Sequence, residues 1–273
     1  MKTKNISIKK EYISLPQGQI HFRMNNIETG TPLILLHRTP SSSNMYIPMM
    51  NEMIEQRPLF AFDTPGFGGS FNPIGSPEMK DYRDWICKSI DIIGIKDFHI
   101  YAHHTGTHIA AEIGNIWNDR TVSLMLNGVA YLSKEEREAF KRMTSTSIEP
   151  DINGKYLMET FELMKSLFPE YNSDLVNQEL LGALRSLEGR KQAFSAVWQQ
   201  DFKSLIQTIQ SPLLVMSAID DFFYEKLEII KNELKTARIE VLGKSGIAST
   251  ELQTKKTVQI ISKFMKESED AKA

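Results

Sequence analysis

Residues 101–114 read YAHHTGTHIAAEIG. They follow the apolar run FHIYA (98–102) and lead into small and apolar residues at helical spacing. A change of period from two to 3.6 marks a strand that turns sharply into a helix. Small residues, Ala102, Gly106 and Thr107, flank the turn, and a histidine, His104, stands at its apex. The same alternation recurs along the chain. PLILLH (32–37), LFAFD (59–63), SLMLNG (123–128) and PLLVMS (212–217) are continuous apolar runs, as expected of strands covered on both faces. SSNMYIPMMNEMIEQ (42–56) and PEMKDYRDWICKSIDIIG (77–94) have helical spacing, the second with Pro near its start and Gly at its end. ISIKKEYISL (6–15) and QIHFRM (19–24), joined by PQG, predict an opening hairpin.

The pattern changes at Tyr131. Until about Ile209 the periodicity is helical throughout, in KEEREAFKRM, KYLMETFELMKSLF, SDLVNQELLGALRSL and KQAFSAVWQQDF. ARIEVL (237–242) resumes the strands and TVQIISKFMK (257–266) closes with an amphipathic helix. The expected fold class is therefore α/β: a mostly parallel central sheet covered by helices on both faces, with an inserted helical cap. Residues 1–130 and 209–273 form the core and 131–208 the cap. The tail KESEDAKA (266–273) is expected to fray.

Composition narrows the partners. The 273 residues are 41% hydrophobic and carry a formal net charge of −2. No basic excess points to nucleic acid or an anionic membrane. No apolar stretch approaches a membrane span, and the first residues lack the apolar region of a secretory leader. A single cysteine, Cys87, excludes an intramolecular disulfide and fits a reducing compartment. A cytoplasmic protein with a small-molecule substrate or ligand is expected, with no cofactor and no metal. Cys87 itself is expected to be a packed thiol on a helix face.

Three stretches, in this order, resemble the α/β-hydrolase fold family, capped branch, over nearly the whole chain. LILLHRTPSSS (33–43) is similar to the family's H-G-x-P-x-S strand end, with Arg38 where glycine is usual. AFDTPGFGGS (61–70) resembles its D-x-P-G-x-G-x-S loop, which the family uses as a structural turn. YAHHTGTHIAAEIG resembles the G-x-S-x-G nucleophile turn, with His104 in the serine's place.

The resemblance implies a nucleophile, a later acid and a final histidine. Here no G-x-S-x-G occurs anywhere. PLLVMSAIDDFF (212–223) fits the strand and turn that carry the acid, which selects Asp221 with Asp220 as the neighbouring candidate. The loop that should carry the histidine reads LGKSGIAS (242–249), with Ile247 in its place, and all six histidines lie at or before His108. The chain is thus a variant lacking both the nucleophile serine and the triad histidine. Ordinary Ser-His-Asp hydrolysis is excluded at the family positions.

What the family geometry retains is an oxyanion site made by the backbone N–H groups of Thr39 and Thr105. His104 is longer than serine and could pair with Asp221 or Asp220 as a base–acid dyad. The leading expectation is a non-standard, hydrolase-like enzyme acting on a small apolar carbonyl or ester compound. Two alternatives stand beside it: a lyase, cyclase or isomerase using His104 as general base, and an inactive ligand-binding or scaffolding pseudoenzyme. An open pocket with His104 at its floor and an aspartate partner favours an enzyme. A packed His104 or a pocket closed by the cap favours the pseudoenzyme. Arg38 is expected either to bind a substrate carboxylate or to pair with Asp63 or an acid of the cap. His104, His108 and Glu112 share a helical stripe, but no H-E-x-x-H pattern accompanies them and the family's helix turns them away from the pocket. Of the cap aromatics Phe161, Phe168, Phe194 and Trp198, most are expected in the core and at most two along a pocket.

Overall fold

The computed structural model describes residues 7–144, 148–168, 170 and 172–272. The expected first strand therefore has Ile6 outside the described residues. Strands β1 (Lys9–Leu15) and β2 (Gly18–Met24) form the opening hairpin, paired from Lys9↔Met24 to Leu15↔Gly18. Six more strands follow: β3 (Leu33–Leu36), β4 (Leu59–Phe62), β5 (Phe98–His103), β6 (Thr121–Asn127), β7 (Leu213–Ala218) and β8 (Arg238–Leu242). Their order across the sheet is β1-β2-β4-β3-β5-β6-β7-β8. Pairing is antiparallel from β1 to β4 and parallel from there to β8. Every residue of β3 to β7 is buried, which is why these strands read as unbroken apolar runs.

Helices cover both faces. Helix α1 (Ile47–Glu52) follows a single 3-10 turn, Ser43–Tyr46, so the helix expected over 42–56 is shorter and divided. Pro48 explains the division: it has no N–H to donate back into the preceding turn and sits instead in the first turn of α1. Helix α2 (Met79–Ile93) buries Cys87, whose thiol is pushed up to about 12 chiefly by that burial. Cys87 is a packing residue, with its thiolate strongly disfavoured. Helix α3 (Thr105–Ile116) leaves the turn after β5.

Between β6 and β7 lie α4 (Lys134–Thr144), α5 (Lys155–Ser166), α6 (Ser173–Arg185), α7 (Leu187–Gln199) and α8 (Phe202–Ile206), with no strand among the described residues. Helices α7 and α8 pack against α3, on the face that α2 also covers, and α5 and α6 form a smaller cluster with Ile247 and Ala248. Helices α9 (Lys226–Glu233), α10 (Ser249–Leu252) and α11 (Thr254–Lys272) complete the chain. The tail does not fray as expected. Helix α11 continues through Lys272 because its charges find partners: Glu267 meets Arg238 at 2.8 Å, Glu269 meets Arg57 at 3.0 Å and His99 at 2.9 Å, and Lys272 meets Asp97 at 3.0 Å.

Candidate active site

The site begins at the end of β5. His104 has φ 45° and ψ −113° and is the one non-glycine residue with positive φ among those described. Such a conformation costs on the order of 1–3 kcal/mol. It is held from both sides. The His104 N–H donates to Asn127 O at 2.9 Å, and its carbonyl accepts from Thr107 N at 2.8 Å and Thr107 Oγ1 at 2.6 Å. Gly106 lets α3 start against β3, since a Cβ there would collide with the Leu36 carbonyl. The tight turn read in the sequence is therefore a sharp elbow that lifts the His104 side chain off the strand end.

The imidazole reaches away from the elbow to the β7–α9 turn. His104 Nε2 lies 2.7 Å from Asp221 Oδ2, with the carboxylate fully buried and the imidazole slightly exposed. Asp221 Oδ1 accepts the Phe223 N–H at 2.9 Å, so the carboxylate is fixed by its own turn. Asp220 faces elsewhere. Its Oδ1 accepts the Ser245 and Gly246 N–H groups, each at 2.9 Å, and so ties down the loop that carries Ile247. Of the two candidate acids, the structure brings only Asp221 to His104.

Sequence reasoning missed what makes room for this pair. Gly128, with φ 68°, ends β6 beside the ring, and a Cβ at that position would run into His104 Nε2. The only sequence signal was a glycine closing an apolar strand. Gly128→Ala is expected to lower stability by about 1–3 kcal/mol through its positive φ and to push the imidazole off Asp221. Chemical denaturation and the imidazole NMR shifts of His104 check both effects. Unchanged shifts would show that the ring can yield without leaving its partner.

Thr105 N is the first amide of α3, a position with no acceptor inside the helix. The Thr39 N–H donates to Thr105 Oγ1 across 3.4 Å, a long bond to a hydroxyl that can rotate away. Both amides belong to residues lining a cavity of about 530 Å³. His104 and Ile247 line it too, together with residues from α4, α5 and α7. Of the aromatics expected in the helical block, Phe194 and Trp198 line the cavity, while Phe161 and Phe168 pack around Met164. His108 also faces the cavity, contrary to the expectation that its helix turns it away. The helical block closes over that side of α3, and Gln200 takes His108 Nδ1 at 2.6 Å. Glu112 bonds Gln200 and Arg83, so the expected His104–His108–Glu112 stripe does not converge on a point.

Arg38 takes one of its expected alternatives, an acid of the helical block. Its guanidinium is buried and does not meet Asp63, although Arg38 is among the residues lining the cavity. Nη2 lies 3.0 Å from Glu179 Oε1 of α6 and 2.7 Å from Glu251 Oε1 of α10, the second an ion pair without hydrogen-bond alignment. A substrate carboxylate would have to displace both. Burial works against the guanidinium charge, yet Glu179 and Glu251 outweigh it and its pKa is raised. Glu179 is raised as well, chiefly by burial. Asp63 instead receives His21 Nδ1 at 2.7 Å, Gly69 N at 2.7 Å and Ser43 N at 2.6 Å. Burial opposes its charge, but His21 and these other donors prevail and hold it at about 2. The loop 63–70 is thus a structural turn built on Asp63.

Four further histidines, His37, His99, His103 and His108, are buried, and burial disfavours their charged form. His37 bonds Arg38 O and Thr64, under the Thr39 loop. His99 and His108 are each lowered to about 4, primarily by burial, and His37 and His103 are lowered for the same primary reason. The sign of the consequence is fixed. Below about pH 6.5 the unfolded chain binds protons that the folded chain refuses until about pH 4, so stability is complete above 6.5 and lost as pH falls. His99 and His108 each contribute a slope of up to about 1.4 kcal/mol per pH unit in that window. Urea midpoints at pH 7 and pH 5 should differ accordingly; equal midpoints would contradict it.

No protein-family model matches the chain. It is 26% identical over 125 residues to the 1-acylglycerol-3-phosphate O-acyltransferase ABHD5 of Homo sapiens, covering 43% of this chain and 36% of that one. The match therefore spans about a third of that relative's length. Among solved structures, the chain superposes on a membrane phospholipase A with a TM-score of 0.81, at 18% identity, covering 96% of this chain and 87% of that one. On the esterase from Exiguobacterium antarcticum the TM-score is 0.78, at 19% identity, covering 94% and 100%. No described helix is long and apolar enough to cross a membrane. Sheet order, elbow and these likenesses agree: this chain is an α/β-hydrolase-fold protein.

Proposed function

We propose that the protein is a hydrolase-like enzyme without a serine nucleophile, in which His104 and Asp221 act as a base–acid dyad on a small apolar carbonyl or ester compound. The observation that carries this reading is the 2.7 Å contact between His104 Nε2 and Asp221 Oδ2 beside a cavity of about 530 Å³. With Nε2–H donated to Asp221, the ring's lone pair falls on Nδ1, the nitrogen nearest the elbow. That nitrogen takes a proton from water as the water oxygen attacks the substrate carbonyl carbon. The developing oxyanion takes the Thr39 and Thr105 amides, displacing the long contact to Thr105 Oγ1. Asp221 stabilises the imidazolium, which returns its proton to the leaving oxygen as the tetrahedral intermediate collapses.

Residues 131–208 would serve as the cap, supplying Phe194 and Trp198 to hold the apolar part of the substrate. The open cavity and the strained conformation kept at His104 both favour an enzyme over a pseudoenzyme, since strain of this kind persists where surroundings over-determine it. A cytoplasmic site of action fits the single buried thiol. A panel of esters, thioesters and lactones offered to wild type and to His104→Ala tests the proposal. The expected result is at least one compound class turned over by the wild type and reduced to background in the variant. Equal background rates across the panel would favour the ligand-binding alternative.

A further inference from the structure

His103 precedes the elbow residue, and the dyad does not use it. Its side chain is fully buried. Nδ1 meets Thr250 Oγ1 at 3.0 Å, but Nε2 has no hydrogen-bond partner. A buried ring nitrogen left without a partner is costly in a polar pocket, and calls for an explanation. The ring lies beside that of His104, with centroids 5.0 Å apart. One ring nitrogen from each histidine and one carboxylate oxygen of Asp221 all fall within 4.8 Å of one another.

We propose that His103, His104 and Asp221 form a binding site for a divalent first-row transition-metal ion of the zinc class, held by two imidazoles and one carboxylate with a coordination position left toward the cavity. Ligand chemistry supports that class: imidazole nitrogen with a single carboxylate suits zinc and its neighbours rather than magnesium or calcium. The ligands are also held from behind, as metal ligands are. Thr250 holds His103 Nδ1, and the Phe223 amide holds Asp221 Oδ1. Bonds of about 2.0–2.2 Å in a tetrahedral site set ligand atoms roughly 3.3 Å apart. The His104–Asp221 pair must open slightly from 2.7 Å, and the three ligand atoms, now within 4.8 Å of one another, must draw in to that spacing. Arg38, a buried cation whose charge is felt at His103, faces two carboxylates, so its cluster adds no net positive charge against an ion. The ion would take the place of the proton shared by His104 and Asp221, so ion and dyad proton exclude one another. The site needs no turnover, and the inference stands apart from the hydrolytic reading.

The test is a titration of zinc(II) chloride into the full chain, stripped with chelator, against a chromophoric competitor at neutral pH. One equivalent is expected to bind. His103→Phe and Asp221→Asn should each weaken that binding by at least about 10-fold, while His108→Asn leaves it unchanged. Far-UV circular dichroism establishes that each variant is folded. If His103→Phe is not, the isosteric Asp221→Asn decides. No binding by the wild type, or equal binding by wild type and the folded variants, overturns the proposal and leaves the dyad reading intact. Zinc bound as expected by a protein whose chelator-stripped form is inactive across the compound panel would sink the hydrolytic reading and keep the metal site.

Discussion

Arg38→Met should lower the free energy of unfolding by about 3–5 kcal/mol, the cost of leaving buried charge without its partner. Arg38 joins the turn after β3 to Glu179 in the helical block and to Glu251 near the carboxyl end. All three side chains are almost wholly shielded from water. Removing the guanidinium leaves two carboxylates facing each other, and they must either repel or take up protons. Replacing the whole cluster, as Arg38→Met with Glu179→Leu and Glu251→Leu, should recover most of the loss, because apolar side chains of similar volume have no charge to desolvate. Denaturant titrations of wild type, single and triple variants provide the comparison. A single-variant loss under about 1 kcal/mol would mean that protonation alone relieves the acids and that the pairing adds little.

The other large effect is on turnover. On any substrate found by the compound panel, Asp221→Asn should lower kcat by about 10²–10⁴-fold with KM nearly unchanged. The amide can still accept the Nε2–H, but it offers no charge to the imidazolium that forms when Nδ1 takes a proton. Asp220→Asn is the matched control. Its side-chain oxygen still accepts the Ser245 and Gly246 amides, so the rate should stay within about threefold. Equal losses in the two variants would show that the acid turn acts as a single structural unit and would remove the special role given to Asp221.

Much of the fold was legible because backbone periodicity and burial are written locally. Short apolar runs such as LILL and FHIYA, bounded by turn residues, read as strands covered on both faces, and the run of helical spacing from Tyr131 to Ile209 could be read by period alone. Local reading failed where a distant partner decided the outcome. The tail was expected to fray, yet Arg57, His99 and Arg238 hold the charges of α11 in place. Pro48 divided a helix whose spacing looked continuous.

For the site, the sequence by itself determined the inventory. It fixed a histidine at the elbow, two adjacent aspartates after β7, and the absence of any histidine after His108. It could not say which aspartate His104 meets, because neighbours in a turn point in different directions and only the packed turn orients them. It could not show that Gly128 leaves space for the ring, that Arg38 is enclosed by Glu179 and Glu251, or that His103 is buried with a free nitrogen beside the pair. Residues far apart in the chain meet there, and such meetings are set by how the sheet, the elbow and the helical block close on one another. Residue type and period are properties of the chain; direction and distance exist only once the chain has packed.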